Sequence, residues 1–265
     1  MKNQLIKSSY RVVAQTVGLV VLLPSLALAT PSTTYWAPST ASCQGWAVPH
    51  VTYDTYFAQG PAAGTQGAPN YAIDTGLTVG FLPFKTIQGE VGFDVLLPSE
   101  DPTYFNAKLC VPESVMFKRS PAVSFGIYNV GTKHDVTNYN VLDLMFQESL
   151  PGGSGYVAAG AYYGLNADLF VNSDGKVVRS GAMVGFVSPD IVLGAKGLKK
   201  ITIAADIQTG KNVLGAWGAG TNFYFTDTIS LLTGPVFFLD EDAQPGGRKF
   251  LWTMQLDIDF PLSRK

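Results

Sequence analysis

The sequence predicts an all-β chain, a transmembrane antiparallel up-and-down β-barrel of about twelve strands, and three observations predict it. The first is the stretch from Phe250 to Phe260, where Phe250, Trp252, Met254, Leu256, Ile258 and Phe260 alternate with Leu251, Thr253, Gln255, Asp257 and Asp259. All six of the first set are apolar and four of the second five are polar, a period of two that only a strand supports. The second is that segments of similar length and alternation recur along the chain, separated by Gly, Pro, Asn and Asp turns. The third is composition: 14% charged and 12% aromatic residues, 28 glycines and a slightly positive mean hydropathy make a chain too apolar for disorder. An oily row opposed by an acidic row suits a wall with lipid outside and water inside.

The elements follow in order. Lys2, Lys7 and Arg11 precede an apolar run from Val17 to Leu28, which ends in the small-x-small site Ala27-Leu28-Ala29. Residues 1–29 therefore read as a cleaved secretory signal. An anchor helix, the other reading, is handicapped by Pro24 and by the short run. Residues 30–48 are rich in Pro, Ser, Thr and aromatics without a clear period, and read as an N-terminal periplasmic arm or a lumen plug. Residues 49–265 form the barrel.

Its first strand, His50 to Phe57, sets Val51, Tyr53 and Phe57 against His50, Thr52, Asp54 and Tyr56. Ala58 to Asn70 is a Gly, Ala and Pro loop. Ile73 to Phe81 and Ile87 to Leu97 follow around a Pro83-Phe84-Lys85 turn, with Asp74 on one polar row and Glu90 and Asp94 on the next. Phe105 to Val111 places Asn106, Lys108 and Cys110 inward, and Val123, Phe125 and Ile127 mark a fifth outer face. Tyr139 to Glu148 is less regular, with Leu142, Leu144 and Phe146 outward. Val157 to Tyr163 is a seventh strand, and Asp168 to Val178 a hairpin extension turning at Ser173-Asp174-Gly175. Val178 to Phe186 puts Arg179 inward, and Ile201 to Gln208 does the same for Asp206. Val213 to Phe225 follows a turn at Thr209 to Asn212. Ile229 to Leu239, an acidic loop from Asp240 to Lys249, and the final strand complete an even count.

The final strand lies almost at the chain end and has an aromatic as its last outward residue, Phe260, followed by Pro261-Leu262-Ser263-Arg264-Lys265. In this it resembles the closing strand of porin-like bacterial outer-membrane β-barrels, of no specific subfamily. The resemblance implies a place in the outer membrane of a Gram-negative cell. It implies as partners outer-membrane lipid, the barrel-assembly machinery that reads such a strand, and small solutes or ions.

The predicted lumen-lining set is Asp54, Asp74, Glu90, Asp94, Asp206, Asp257 and Asp259 against Lys108 and Arg179. An acidic excess in a water-filled passage concentrates cations, so the first functional expectation is a passive channel for small solutes or ions with weak cation preference. Inward carboxylates that pair across a narrow bore would instead seal it and leave a non-conducting scaffold. Inward glycines such as Gly92, Gly126 and Gly185 favour open space. The mature chain carries 15 basic and 20 acidic residues, a net charge of −5, with no basic stripe for nucleic acid.

Chemistry is sparse. A membrane hydrolase needs a base beside a nucleophile, and the histidines are His50 and His134. Neither shows a His-x-Ser spacing, so no catalytic residue is assigned. The one constellation of interest is His50 and Asp54 beside Asp257 and Asp259, which barrel closure would bring together. No metal-ligand spacing and no cofactor motif is present, so none is expected. Cys43 and Cys110 could pair in an oxidising compartment or stand as two unrelated small residues.

Overall fold

The computed structural model describes residues 32–58, 71–97, 99, 101–152, 155–244 and 247–262. The signal expected at 1–29, most of the Ala58 to Asn70 loop and the last three residues lie outside the described residues.

Twelve strands pair each with its sequence neighbour and close into one antiparallel barrel. They are β1 (Pro49–Ala58), β2 (Tyr71–Gly80), β3 (Gln88–Leu97), β4 (Thr103–Val111), β5 (Ala122–Gly131), β6 (Asn138–Ser149), β7 (Tyr156–Gly164), β8 (Ser180–Val187), β9 (Lys200–Gln208), β10 (Ala216–Tyr224), β11 (Ile229–Phe238) and β12 (Phe250–Asp259). Closure pairs β1 with β12 from His50 opposite Asp259 to Ala58 opposite Leu251. Among the described residues no strand edge is left unpaired, so the wall satisfies its backbone hydrogen bonds within the chain.

The faces divide as the alternation requires. Tyr53, Phe105, Leu109, Phe125, Leu144, Phe146, Trp217 and Trp252 are exposed, while Asp54, Glu90, Asp94, Lys108, Asp143 and Asp206 are buried. This is the reverse of a soluble protein, where charged groups are almost never fully buried and apolar side chains fill the centre. Trp217 stacks on Phe237, and Phe237 on Phe250, making an outer aromatic row across β10, β11 and β12. Phe93 also points outward, but it is covered by Phe105 at a ring separation of 5.6 Å.

Two local expectations are corrected, and a third, the irregularity of the sixth strand, is explained. The strand expected from Val213 begins only at Ala216, because the Asn212 side chain holds the turn open. Its Oδ1 accepts from the backbone N–H of Leu214 and Gly215, and its Nδ2 donates to the Tyr162 hydroxyl and to the Val178 carbonyl. The strand expected from Val178 begins at Ser180, and Arg179 falls before it. β6 runs twelve residues and its irregularity is a bulge opposite Tyr128 to Val130, where Asn129 has a φ of 51°. An extra residue there re-aims the strand without breaking closure. The hairpin extension is present, with an antiparallel bridge between Val171 and Val177.

The interior is not uniformly polar. Ala122, Tyr128, Val141, Met145, Ala158 and Met183, from β5 to β8, form an apolar lining that packs on Ala37 and Ala41. A second cluster gathers Ala204, Ala216, Leu232, Val236 and Leu251 around Tyr35. Both clusters are apolar because a chain segment, rather than water, covers them.

Candidate functional site: an internal segment and two lumen cavities

That segment is Ser32 to Val48, and it lies among the inward-facing side chains. The Glu90 carboxylate accepts from the Ser32 N–H and hydroxyl and from the Gln44 N–H, so the segment starts and ends its traverse at one residue. Lys108 Nζ lies 3.5 Å from Glu90 and donates to the carbonyls of Ser32 and Ser42. Both charges are buried, and the backbone groups complete the pair's hydrogen bonding, the condition under which a buried ion pair is tolerated.

Further along, Asp206 Oδ2 accepts from the N–H groups of Tyr35, Trp36 and Ala37 and from the Ser39 hydroxyl. Successive N–H groups converging on one carboxylate oxygen form an anion nest, built here by the segment around a barrel side chain. Gln147 Oε1 accepts from Thr40 and Ala41, and Gln255 Nε2 donates to the Tyr35 carbonyl.

Tyr35 is fully buried, and its hydroxyl donates to the Pro235 carbonyl. A Cβ at Gly218 or Gly220 would run into its ring, so glycine at these β10 positions makes the ring's pocket. A Cβ at Gly185 would likewise meet the Ser39 carbonyl. Gly185, expected to leave open space, leaves space for the segment instead. Cys43 and Cys110 are joined in a disulfide that ties the segment to β4. Closing a loop of 67 residues is worth about 4 kcal/mol in the chain-entropy account.

Beside the segment the lumen keeps free volume. One cavity of about 200 Å³ is bounded by Asp54, Asp74 and Asp94 with Trp36, Tyr56 and Tyr128. A second, of about 160 Å³, is bounded by Ser32, Gln44, His50, Asn222 and Asp257. Both include Thr33, Asp54 and Gln255 in their walls, so they adjoin along the β1 and β12 side of the bore.

The expected lumen set thus separates into groups. Glu90, Lys108 and Asp206 hold the internal segment. Asp54, Asp74 and Asp94 face the larger cavity, and Asp257 faces the smaller one. Asp259 accepts from Gln44 Nε2 and contacts His50 Nδ1 at 2.9 Å. Arg179 is the departure: its guanidinium lies 4.8 Å over the ring of Tyr163, an exposed residue of the outer face. An arginine just before a strand and stacked on an outward tyrosine belongs with interface aromatics, not with the bore.

Three contributors stand outside the lumen-lining set that the sequence predicts. Asp143 follows the inward row of β6, which its neighbours Leu142 and Leu144 already implied. Gln147 and Gln255 carried no signal beyond alternation, since a glutamine's partner is set by what folds against it.

The histidine constellation does assemble. His50 Nε2 lies 3.4 Å from Asp257 while Nδ1 contacts Asp259, so each ring nitrogen faces a carboxylate and neither is turned to a nucleophile. His134 is exposed in a loop beside Asp135. Among the described residues no group of three or more His, Cys, Asp or Glu is arranged to hold a metal ion.

No protein-family model matches the chain, and no curated protein matches it. Among solved structures it is similar to an outer membrane channel from Pseudomonas putida F1, at 12% identity over 88% of this chain and 100% of that one, with a TM-score of 0.43. It is similar to the NanC porin at 7% identity over 80% and 100% of the two chains, with a TM-score of 0.49. A Rhodopseudomonas blastica porin variant matches at 6% identity over 80% and 99%, with a TM-score of 0.41. At these identities and TM-scores the likenesses leave family and substrate open.

Proposed function

We propose that this chain is an outer-membrane barrel, exported with a signal cleaved after Ala29, that acts as a narrow passive channel for small solutes or ions. Membrane insertion is supported by the inverted distribution of side chains, an apolar aromatic-bearing exterior around buried charges. The observation that carries the channel is the pair of cavities meeting at Thr33, Asp54 and Gln255. In this reading they mark a route along the β1 and β12 wall, beside the internal segment.

The route is lined by Asp54, Asp74, Asp94 and Asp257, which supports a cation preference. The segment fixes the bore, much as a lumen plug does in other barrels. A hydrolase reading is not favoured, since both nitrogens of His50 are occupied by carboxylates.

The test is planar-bilayer conductance of the refolded mature protein under a KCl gradient. The expected result is small unitary steps with a cation-selective reversal potential, and a several-fold larger step after deletion of residues 30–42. Silence from both proteins would refute the channel and leave a sealed scaffold, and anion preference would refute the assigned route.

A further inference from the structure

We propose that the larger lumen cavity binds a small organic ammonium ion, such as a short aliphatic diamine. The proposal deepens the channel reading by naming a ligand class for the same passage. Register places Asp54 of β1 directly opposite Asp74 of β2, and Asp94 of β3 opposite Gly76, two residues along β2. The three carboxylates therefore step across adjacent strands on one side of the bore, and all three wall the cavity.

Asp54 and Asp74 carry the site, because each keeps a buried oxygen with no hydrogen-bond partner. Among the described residues bounding the cavity there is no lysine, arginine or histidine. The inward Lys108 is committed to Glu90 and to two carbonyls of the internal segment. Asp54 is only 5% exposed; its Oδ2 accepts from the Tyr56 hydroxyl, while its Oδ1 is buried with no hydrogen-bond partner. Asp74 Oδ1 is in the same condition. Buried acceptors left unpaired are costly, and a ligand bringing N–H donors and positive charge removes that cost.

The rest of the wall selects among cations. Trp36, Tyr56 and Tyr128 line the cavity, with Trp36 and Tyr56 packed edge to face at 5.5 Å. Aromatic walls beside carboxylates suit an alkylammonium, which offers N–H donors at its head and methylenes to the rings. A metal ion would instead want converging oxygen ligands, and the carboxylates are spread over three strands rather than gathered. A cavity of about 200 Å³ admits a short diamine, whose two heads can each meet a carboxylate.

The test is isothermal titration of the refolded mature protein in detergent with butane-1,4-diamine, and with butane-1,4-diol as the neutral analogue. Saturable binding of the diamine alone is expected, weakened at least about tenfold by Asp54→Asn with Asp74→Asn. Trp36→Leu, which keeps every carboxylate, is expected to weaken it several-fold. Refolding of each variant is checked by heat-modifiable gel mobility. Absence of saturable heat, equal binding of the diol, or unchanged affinity in the carboxylate variant would overturn the site. The same samples in KCl bilayers separate the two readings: conductance without diamine binding rejects the site alone, and binding without conductance rejects the channel alone.

Discussion

At the scale of single residues, Glu90 and Asp206 show how an inward carboxylate can serve structure rather than flow. Each is surrounded by donors from residues 32–44, so neither charge is free to act on a passing ion. Glu90→Gln removes one half of the buried pair with Lys108. It should lower stability by about 3 kcal/mol in urea unfolding, with little change in reversal potential. Asp54→Asn should do the opposite, shifting the reversal potential toward zero while the barrel stays folded. Asp240 offers a pH-dependent case outside the wall. The Ser173 backbone N–H donates to it at 2.9 Å and holds its carboxyl below the usual aspartate range. A depressed value means the contact stabilises above the ordinary pKa and is lost as pH falls through the folded one. The protection factors of amides in 171–177, taken relative to the intrinsic exchange rate at each pH, should therefore fall in acid, and Asp240→Asn should show the lower protection already at neutral pH. The inward position of Asp54, Asp74, Asp94 and Asp257 was legible from alternation, because a strand sends successive side chains to opposite faces. Their division into segment-holding and cavity-facing groups was not, since the donors that capture Glu90 and Asp206 come from residues far away in sequence.

At the scale of elements, the strands were legible and the internal segment was not. Period-two patterning locates all twelve strands, and it failed only where side chains override it, as Asn212 does by capping its own turn. Residues 30–48 carry no period because their contacts are with many strands at once, so an arm and a plug look alike in sequence. The disulfide is the clamp. Replacing Cys43 and Cys110 by Ser should leave the barrel intact by heat-modifiable mobility yet expose 32–48 to limited proteolysis. Gly220→Val, which would intrude on the Tyr35 ring, should release the same segment with the disulfide still present. Proteolysis that stays unchanged in both variants would show that the segment's hydrogen bonds suffice alone.

At the scale of the molecule, the decisive property is which surface is oily. Phe125 is mid-strand on β5 and 55% exposed, so Phe125→Arg should cost about 2–4 kcal/mol of membrane insertion, measured by refolding into lipid vesicles. The lumen itself is two-sided, apolar from β5 to β8 under the segment and acidic along β1 to β3 beside the cavities. That asymmetry, rather than net charge, sets where a solute could travel.

The sequence by itself determined the strand count, the pairing of neighbours, the face of side chains within the strands and the acidic character of the interior, because each follows from local alternation and turn chemistry. The tertiary structure alone decided that residues 32–48 lie inside the bore, that Cys43 meets Cys110, that Arg179 sits against Tyr163, and which carboxylates hold the segment and which line the cavities. Those outcomes depend on contacts between residues distant along the chain, and a local pattern holds no record of what will fold against it.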